Sequence, residues 1–186
     1  MTISEPAPRG EIVQERGASF EVFALPTDEE TVLNVLDDCF AEWPHIRFGP
    51  LIPGALWEIR PPERPSITML NGYATVDFND WHFHICVGQR GGVDPEMSEQ
   101  RRTSGMELYR RLNRDGEPVI WGLRLLNGAG DQQVTFLLPS PFLNDDQQEL
   151  DEPDWGRLAL WDRLRQRYLG IGPDPIDLTA QAARRG

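Results

Sequence analysis

The chain has 186 residues, of which 39% are hydrophobic and 26% are charged, and its formal net charge at pH 7 is -12. This length and composition are typical of a globular protein and exclude a disordered or fibrous one. The excess of acidic residues repels phosphate groups and anionic lipids, so we expect no nucleic-acid partner and no membrane partner.

Several enzyme classes are excluded by the basic residues, because all 18 of them are arginine. Without lysine, the chain cannot form a Schiff base, attach pyridoxal phosphate covalently or supply the phosphate-binding lysine of a P-loop enzyme or a protein kinase. Its two cysteines do not make a disulfide framework. The sequence shows neither a secretory signal nor an apolar run near the roughly 18 residues of a membrane span, so we expect a cytoplasmic protein.

The sequence predicts one α+β domain over residues 18–172, with a flexible N-terminal segment at 1–17 and an extended C-terminal tail at 173–186. Strands are predicted where apolar and polar residues alternate, because successive side chains of a strand point to opposite faces. The segments with this pattern are residues 19–25, 55–60, 67–78, 81–88, 119–126 and 133–138.

Capping residues and apolar residues at helical spacing predict three helices. Thr27 and Glu30 form a capping box that starts the first helix, which ends near Pro44. Asp154 caps the last helix, and Gly170 closes it.

The second helix is predicted over roughly residues 96–113. It begins either after the pair Asp94-Pro95 or at a second capping box from Ser104 to Glu107. Consecutive strands joined by short turns favour antiparallel pairing. We therefore expect an α+β fold with a mixed or antiparallel sheet and helices packed on one face.

The most informative segment is a predicted β-hairpin that turns at Asn79-Asp80. With a two-residue turn, three cross-strand pairs form, and partners in such pairs point to the same side of the sheet. One face is apolar, and the other is polar and consists of Tyr73, Thr75, Asp77, His82, His84 and Cys86.

This polar face predicts a metal site, because histidine and cysteine are preferred ligands of zinc, iron and copper. His82 and His84 are about 7 Å apart at Cα on a strand and can converge on one ion. Cys86 is too far from His82 on a regular strand, so either a bulge brings it closer or another residue, Glu58, Asp77 or His45, is the third ligand. Two histidines with a carboxylate suit non-haem iron, and two histidines with a cysteine suit zinc or copper.

Other interpretations of the same residues stay open. The histidines could act as acid or base in a metal-free pocket, or could only hydrogen-bond across the sheet. Cys86 could be a small buried hydrophobe, or a nucleophile beside His84. Arginines that follow the glycine-rich loop 88–92, among them Arg101, could bind a carboxylate or phosphate of a substrate.

The leading hypothesis is a metal-dependent enzyme, of hydrolase or non-haem oxygenase type, that acts on a small-molecule substrate. His82, His84, Cys86 and Glu58 are its candidate ligands, Asp77 its candidate catalytic carboxylate, and Arg124 the residue that steers an anionic substrate. The alternative is a non-catalytic metal-binding, haem-binding or protein-interaction module that uses the same polar sheet face. A homodimer is compatible with either hypothesis.

Several strings of residues resemble an uncharacterised family of bacterial proteins. They are His82-Phe-His-Ile-Cys-Val-Gly88, Arg101-Arg102 with Glu107-Leu-Tyr-Arg110, Pro141-Phe-Leu143 and Pro153-Asp-Trp-Gly-Arg-Leu-Ala-Leu-Trp-Asp162. The resemblance covers roughly residues 40–170 and implies no established activity.

Overall fold

The computed structural model describes residues 9–52 and 54–180, so the predictions for residues 1–8 and 181–186 lie outside the described residues. The helices are α1 (Glu29–Ala41), α2 (Pro95–Arg101) and α3 (Ala159–Leu169), with 3₁₀ turns at Trp155–Leu158 and Pro175–Thr179. The strands are β1 (Glu11–Glu15), β2 (Ala18–Ala24), β3 (Arg47–Gly49), β4 (Leu51–Ile52), β5 (Ala55–Leu56), β6 (Ser66–Leu70), β7 (Tyr73–Asp77), β8 (His82–Cys86), β9 (Thr103–Leu112), β10 (Pro118–Asn127) and β11 (Gln132–Leu137).

The strands form a six-stranded sheet of order β1-β2-β9-β10-β11-β3, a three-stranded sheet of order β6-β7-β8, and the two-stranded pair β4-β5. Neighbouring strands in all three sheets are antiparallel. The α+β class predicted from the sequence is confirmed. Over the part of the chain that the structure describes, no helix has the length and apolar character needed to cross a membrane.

Helix α1 begins one residue later than the predicted capping box. Asp28, rather than Thr27, is the N-cap, and its carboxylate accepts a hydrogen bond of 2.9 Å from the backbone N–H of Thr31. The apolar face of the helix is buried in the core through Val32, Val35, Leu36, Cys39 and Phe40.

The long second helix predicted over residues 96–113 is wrong. Asp94 does cap a helix that starts at Pro95, but α2 ends at Arg101 and strand β9 follows. Met106 and Leu108 face the core at a spacing of two, while Glu107 between them faces away. Ser104 and Glu107 have the spacing of a capping box, but burial of every second side chain against the core favours a strand over a helix in this segment.

Other boundaries also differ from the predictions. The predicted strand 67–78 is two strands, because Asn71 and Gly72 both adopt positive φ and form a tight turn. Within the predicted strand 55–60, only β5 and an isolated bridge between Ile59 and Phe48 have strand pairing. Part of the segment predicted to be flexible forms β1, and the predicted extended tail contains the 3₁₀ turn Pro175–Thr179.

The core lies where α1, α3 and the apolar face of the β7–β8 hairpin meet one face of the six-stranded sheet. Its centre is a cluster of phenylalanine rings, in which Phe40 contacts both Phe48 and Phe136 with ring centroids 5.2 Å apart. Phe48 of β3 also stacks on Phe78 of the hairpin, with centroids 5.8 Å apart. These rings join the three-stranded sheet to the six-stranded sheet.

A buried ionic cluster fixes the 3₁₀ turn Pro175–Thr179 to this core. The guanidinium of Arg110, which is 1% exposed, donates hydrogen bonds to Glu21, Asp174 and Asp177. Asp177 also accepts the indole N–H of Trp121 and that of Trp161. The 3₁₀ turn at Pro175–Thr179 is therefore tied to β2, β9, β10 and α3 through charge-assisted hydrogen bonds.

We expect Asp177→Asn to lower the free energy of unfolding by about 3 kcal/mol, because it removes one charge from a buried hydrogen-bonded cluster and leaves Arg110 undercompensated. Urea denaturation followed by tryptophan fluorescence measures the change. Leu178→Ser is the matched control, since the side chain of Leu178 is next to Asp177 in sequence but is 59% exposed. It should change the free energy of unfolding by less than about 0.5 kcal/mol. Equal effects of the two substitutions would contradict the structural role assigned to the cluster.

Asp174 gives this cluster a defined pH dependence. Burial alone would raise the pKa of its carboxyl, but hydrogen bonds from Arg110 and from the backbone N–H of Ile176 hold the pKa below its ordinary value of 3.8. Because the folded-state pKa is depressed, the stabilisation is present above 3.8 and is lost as the pH falls through the folded-state value.

We therefore expect the difference in unfolding free energy between the wild type and Asp174→Asn to be constant near neutral pH and to shrink below 3.8. Urea titrations at several pH values measure it. Asp151→Asn, at an exposed acidic residue, is the control and should show no such trend. A difference that grows as the pH falls would be incompatible with the ion pair.

Candidate functional site

The β7–β8 hairpin has the register predicted from the sequence: Tyr73 lies opposite Cys86, Thr75 opposite His84, and Asp77 opposite His82. The backbone N–H of Val87 donates to the carbonyl of Gly72, so the position next to the pair Tyr73–Cys86 is a hydrogen-bonded one. Hydrogen-bonded and non-hydrogen-bonded pairs alternate along an antiparallel ladder. The three pairs are therefore non-hydrogen-bonded ones, whose side chains lie closest together. The backbone groups of the same residues of β8 point away from β7, toward the edge of the three-stranded sheet.

His84 is held by its cross-strand partner. Its Nδ1 lies 2.9 Å from the hydroxyl oxygen of Thr75, within hydrogen-bond distance. The second ring nitrogen, Nε2, makes no hydrogen bond with any residue in the described ranges. When Nδ1 donates to Thr75, Nε2 presents its lone pair, which is the form of imidazole that binds a metal.

His84 lines a cleft of about 480 Å³, which we call the β8 cleft. It lies between the edge of β8 that is unpaired within the described residues and strands β3 and β11 of the six-stranded sheet. The lining residues come from both sheets, from adjoining loops and from the end of α2, and they are Phe48, Gly49, Pro50, Ile59, Tyr73, Trp81, Phe83, His84, Ile85, Cys86, Arg101, Asn127, Gln133 and Val134.

One wall of the β8 cleft is flat and aromatic. The ring of Phe48 is stacked on Phe83 with centroids 5.4 Å apart and on Trp81 with centroids 6.3 Å apart. The angles between the ring planes are 27° and 11°, respectively. Trp81 and Phe83 are only partly buried, so their rings offer apolar surface to a planar ligand, whereas Phe48 is 3% exposed and only supports them. Phe83 lies on the face of β8 opposite to His84, and the cleft follows the edge of the strand between the two faces.

The end of the β8 cleft near α2 is positively charged. Arg101 lines the cleft, and the guanidinium of Arg90 lies 5.6 Å from the ring centroid of Tyr73, another lining residue. Neither arginine forms an ion pair with a carboxylate of residues 9–52 or 54–180, whereas the adjacent Arg102 is paired with Glu99 at 2.7 Å. Two uncompensated guanidinium groups in an acidic protein favour a ligand with carboxylates.

Cys86 lies in the same cleft, but as a neutral thiol. Burial raises the pKa of its thiol, and its Sγ lies 3.7 Å from the carbonyl oxygen of Gly88. Its own carbonyl accepts hydrogen bonds from the side chains of Thr103 and Gln133, which tie the end of β8 to the six-stranded sheet. Because the thiolate is both the metal ligand and the nucleophile, this environment favours neither role.

Of the remaining candidate residues, His82 lies beside His84, with ring centroids 5.0 Å apart, whereas Asp77 and Glu58 have other surroundings. Asp77 accepts a hydrogen bond of 2.8 Å from the backbone N–H of Asn79 in the hairpin turn. Glu58 lines a different cavity, together with His45 and Arg47. Within the described part of the chain, no three His, Cys, Asp or Glu side chains are grouped so that they could hold a metal ion.

Arg124 lines a third cavity, on the face of the six-stranded sheet that points away from the core. Its guanidinium donates to Glu107 at 2.7 Å and makes two hydrogen bonds to Glu15. Burial alone would lower its pKa, but these carboxylates raise the pKa above its ordinary value. The charge predicted to steer a substrate is thus already neutralised by two carboxylates.

Comparison with known proteins gives a family and a fold. The model of DUF7676, a family of unknown function, matches residues 10–170, so the chain belongs to that family. This membership agrees with the resemblance to an uncharacterised family noted in the sequence. No curated protein matches the chain in sequence.

Two solved structures of ChuX are similar to this chain at 17% sequence identity, with TM-scores of 0.50 and 0.49. In each case, the match covers 77% of this chain and 74% of ChuX. One of the two structures names ChuX as a heme-binding protein. At this level of identity, the similarity establishes a shared fold and nothing about activity.

Proposed function

We propose that this member of the DUF7676 family binds haem in the β8 cleft, with His84 as the protein ligand to the iron. The observation that carries the proposal is the presence, along one cleft at the edge of β8, of a free imidazole nitrogen, partly buried aromatic rings and two arginines without ion pairs in the described residues, of which Arg101 lines the cleft and Arg90 borders it. Haem has the three matching parts: an iron, a planar apolar macrocycle and two propionate carboxylates.

Haem fits the donor groups better than a bare metal ion does. The porphyrin supplies four nitrogens to the iron, so a single protein imidazole completes a stable site. Zinc bound by a protein alone takes three or four protein ligands, and the described residues offer no such group. The volume of about 480 Å³ lies within the roughly 300–1,000 Å³ of typical ligand and cofactor sites.

Among the three candidate ligands on β8, the surroundings favour His84. His82 points to the same side of the strand, with its ring centroid 5.0 Å from that of His84, but it does not line the cleft. Two side chains on one side of a strand also cannot approach opposite faces of one porphyrin. Cys86 is a neutral thiol, which is a poor ligand.

The likeness to ChuX supports the same proposal from another direction, since ChuX is named as a heme-binding protein and this chain shares its fold. His84 is exposed, and the cleft is open along the edge of β8. A cleft of this form suits a protein that takes up and releases haem better than one that encloses it. The proposed role is therefore the non-catalytic alternative considered in the sequence analysis.

The first test is a haem titration of protein purified without a polyhistidine tag. We expect saturable binding, one haem per chain, with the absorption spectrum of imidazole-ligated iron. His84→Ala should weaken binding by at least about tenfold, or about 1.4 kcal/mol, and should change the spectrum. His82→Ala is the matched control, because it removes a neighbouring exposed histidine that does not line the cleft, and it should bind as the wild type does.

Two results would overturn this proposal. One is a wild-type protein that shows no saturable haem binding. The other is a spectrum that persists unchanged in folded His84→Ala. Elemental analysis of the purified protein serves as a further check, since stoichiometric zinc that is lost in both histidine variants would restore the bare-metal hypothesis.

The second test concerns the charged end of the β8 cleft. We expect Arg90→Gln and Arg101→Gln each to weaken haem binding severalfold, because an exposed guanidinium–carboxylate contact is worth up to about 1 kcal/mol. The effect should disappear when the ligand is haem dimethyl ester, which lacks the propionate charges. Spectroscopic titration of each variant with haem and with haem dimethyl ester measures how far the loss of affinity depends on the propionate charges.

Arg102→Gln is the matched control for this experiment, because Arg102 is already paired with Glu99. It should leave the affinity for both ligands unchanged. Loss of affinity that is equal for haem and its dimethyl ester would mean that the arginines act on the fold of the cleft and not on the propionates.

A further inference from the structure

A second cavity lies at the end of the six-stranded sheet, where β3, β10 and β11 meet the loop 139–150. We call it the Arg47 pocket. Its volume is about 200 Å³, and none of its described lining residues also lines the β8 cleft. Most of its surface is apolar and comes from Val119, Ile120, Leu137, Leu138, Pro139, Phe142 and Leu143.

The polar residue that distinguishes this cavity is Arg47, which is 7% exposed. Its guanidinium donates one hydrogen bond of 2.8 Å to the carbonyl of Ile46 and another to the carbonyl of Asp145. In the described ranges, no carboxylate lies within ion-pair distance of it, although the partly buried Arg157, which also lines this pocket, is paired with Asp145. Burial lowers the pKa of Arg47, and the carboxylates of Asp145, Asp146 and Glu58 act on it only through space, so no direct carboxylate contact compensates for its removal from water.

The carboxylate of Asp145, the residue whose backbone carbonyl binds Arg47, is directed elsewhere. One oxygen of Asp145 lies 2.8 Å from Nδ1 of His45, and the other accepts a hydrogen bond of 2.7 Å from Arg157. Burial works against ionisation, but these two hydrogen bonds hold the pKa of Asp145 below its usual range. Asp145 is thus a fixed anion that orients His45 and Arg157, and its side chain does not bond to Arg47.

From this arrangement, we propose that the Arg47 pocket binds a small apolar monocarboxylate, with the carboxylate on Arg47 and the hydrocarbon part against the apolar wall. Its volume of about 200 Å³ is below the roughly 300–1,000 Å³ of drug-sized sites, so the ligand is small. Glu58 and Glu149 are exposed at the lining of the same pocket and disfavour a ligand with a second negative charge.

Three probes of one shape separate charge from size: benzoate, its neutral analogue benzamide and its cationic analogue benzylamine. We expect benzoate to bind with a dissociation constant of about 1 mM or tighter, and benzamide and benzylamine to bind at least about tenfold more weakly. Calorimetry measures the affinities, and chemical-shift changes in the amide NMR spectrum locate the site.

Two variants test the assigned residues. Arg47→Met keeps the apolar stem but removes the cation, and it should weaken benzoate binding to the level of benzamide. Glu58→Gln, at an exposed position that should not disturb folding, should tighten benzoate binding at low ionic strength because it removes a like charge. Thermal unfolding of each variant checks that it is folded.

The proposal is overturned if benzoate shows no saturable binding, if benzamide binds as well as benzoate, or if folded Arg47→Met retains full affinity. If Arg47→Met does not fold, Glu58→Gln decides the question, and weaker or unchanged benzoate binding at low salt contradicts the proposal. None of these outcomes depends on whether the β8 cleft binds haem.

Discussion

The stacking of Phe48 between the two main sheets is the contact on which the candidate site depends. Phe48 belongs to β3, at the edge of the six-stranded sheet, yet its ring packs on Phe78, Trp81 and Phe83 of the hairpin. Burial of these large rings removes apolar surface from water and fixes the three-stranded sheet against its neighbour. No described strand pairs with the outer edge of β8. The packing of the two sheets through Phe48 therefore leaves a cleft along that edge and does not form one continuous sheet.

The pairing of the arginines with carboxylates explains why some cavities can attract an anionic ligand and others cannot. Arg110 and Arg124 are surrounded by carboxylates, which compensate for their removal from water and give them a structural role. Arg47, Arg90 and Arg101 have no such partners among the described residues, and each lines or borders a cavity. In a chain with a net charge of -12, an unpaired guanidinium group beside a cavity is a local positive site in an acidic surface, where an anionic ligand can supply the missing charge.

Half of the candidate site could be predicted because it is local in sequence. The alternation of side chains along β7 and β8, together with the short turn between them, places His84 beside Thr75 and on the same face as Cys86. Local pattern was misleading where it conflicted with tertiary burial. The capping-box residues Ser104 and Glu107 lie in strand β9, and Arg101, which the local pattern places inside a helix over roughly residues 96–113, is the last residue of α2.

The sequence by itself determined the α+β class, the hairpin register and the residues on each hairpin face, since these follow from side-chain periodicity and turn chemistry over a few neighbouring residues. Only the tertiary structure decided what lies across the cleft from His84. Phe48, Arg101 and Gln133 come from three distant parts of the chain, and they meet because of the order of strands in the sheets and the packing of large rings. That order depends on the total surface buried by the fold, which no local pattern in the sequence encodes.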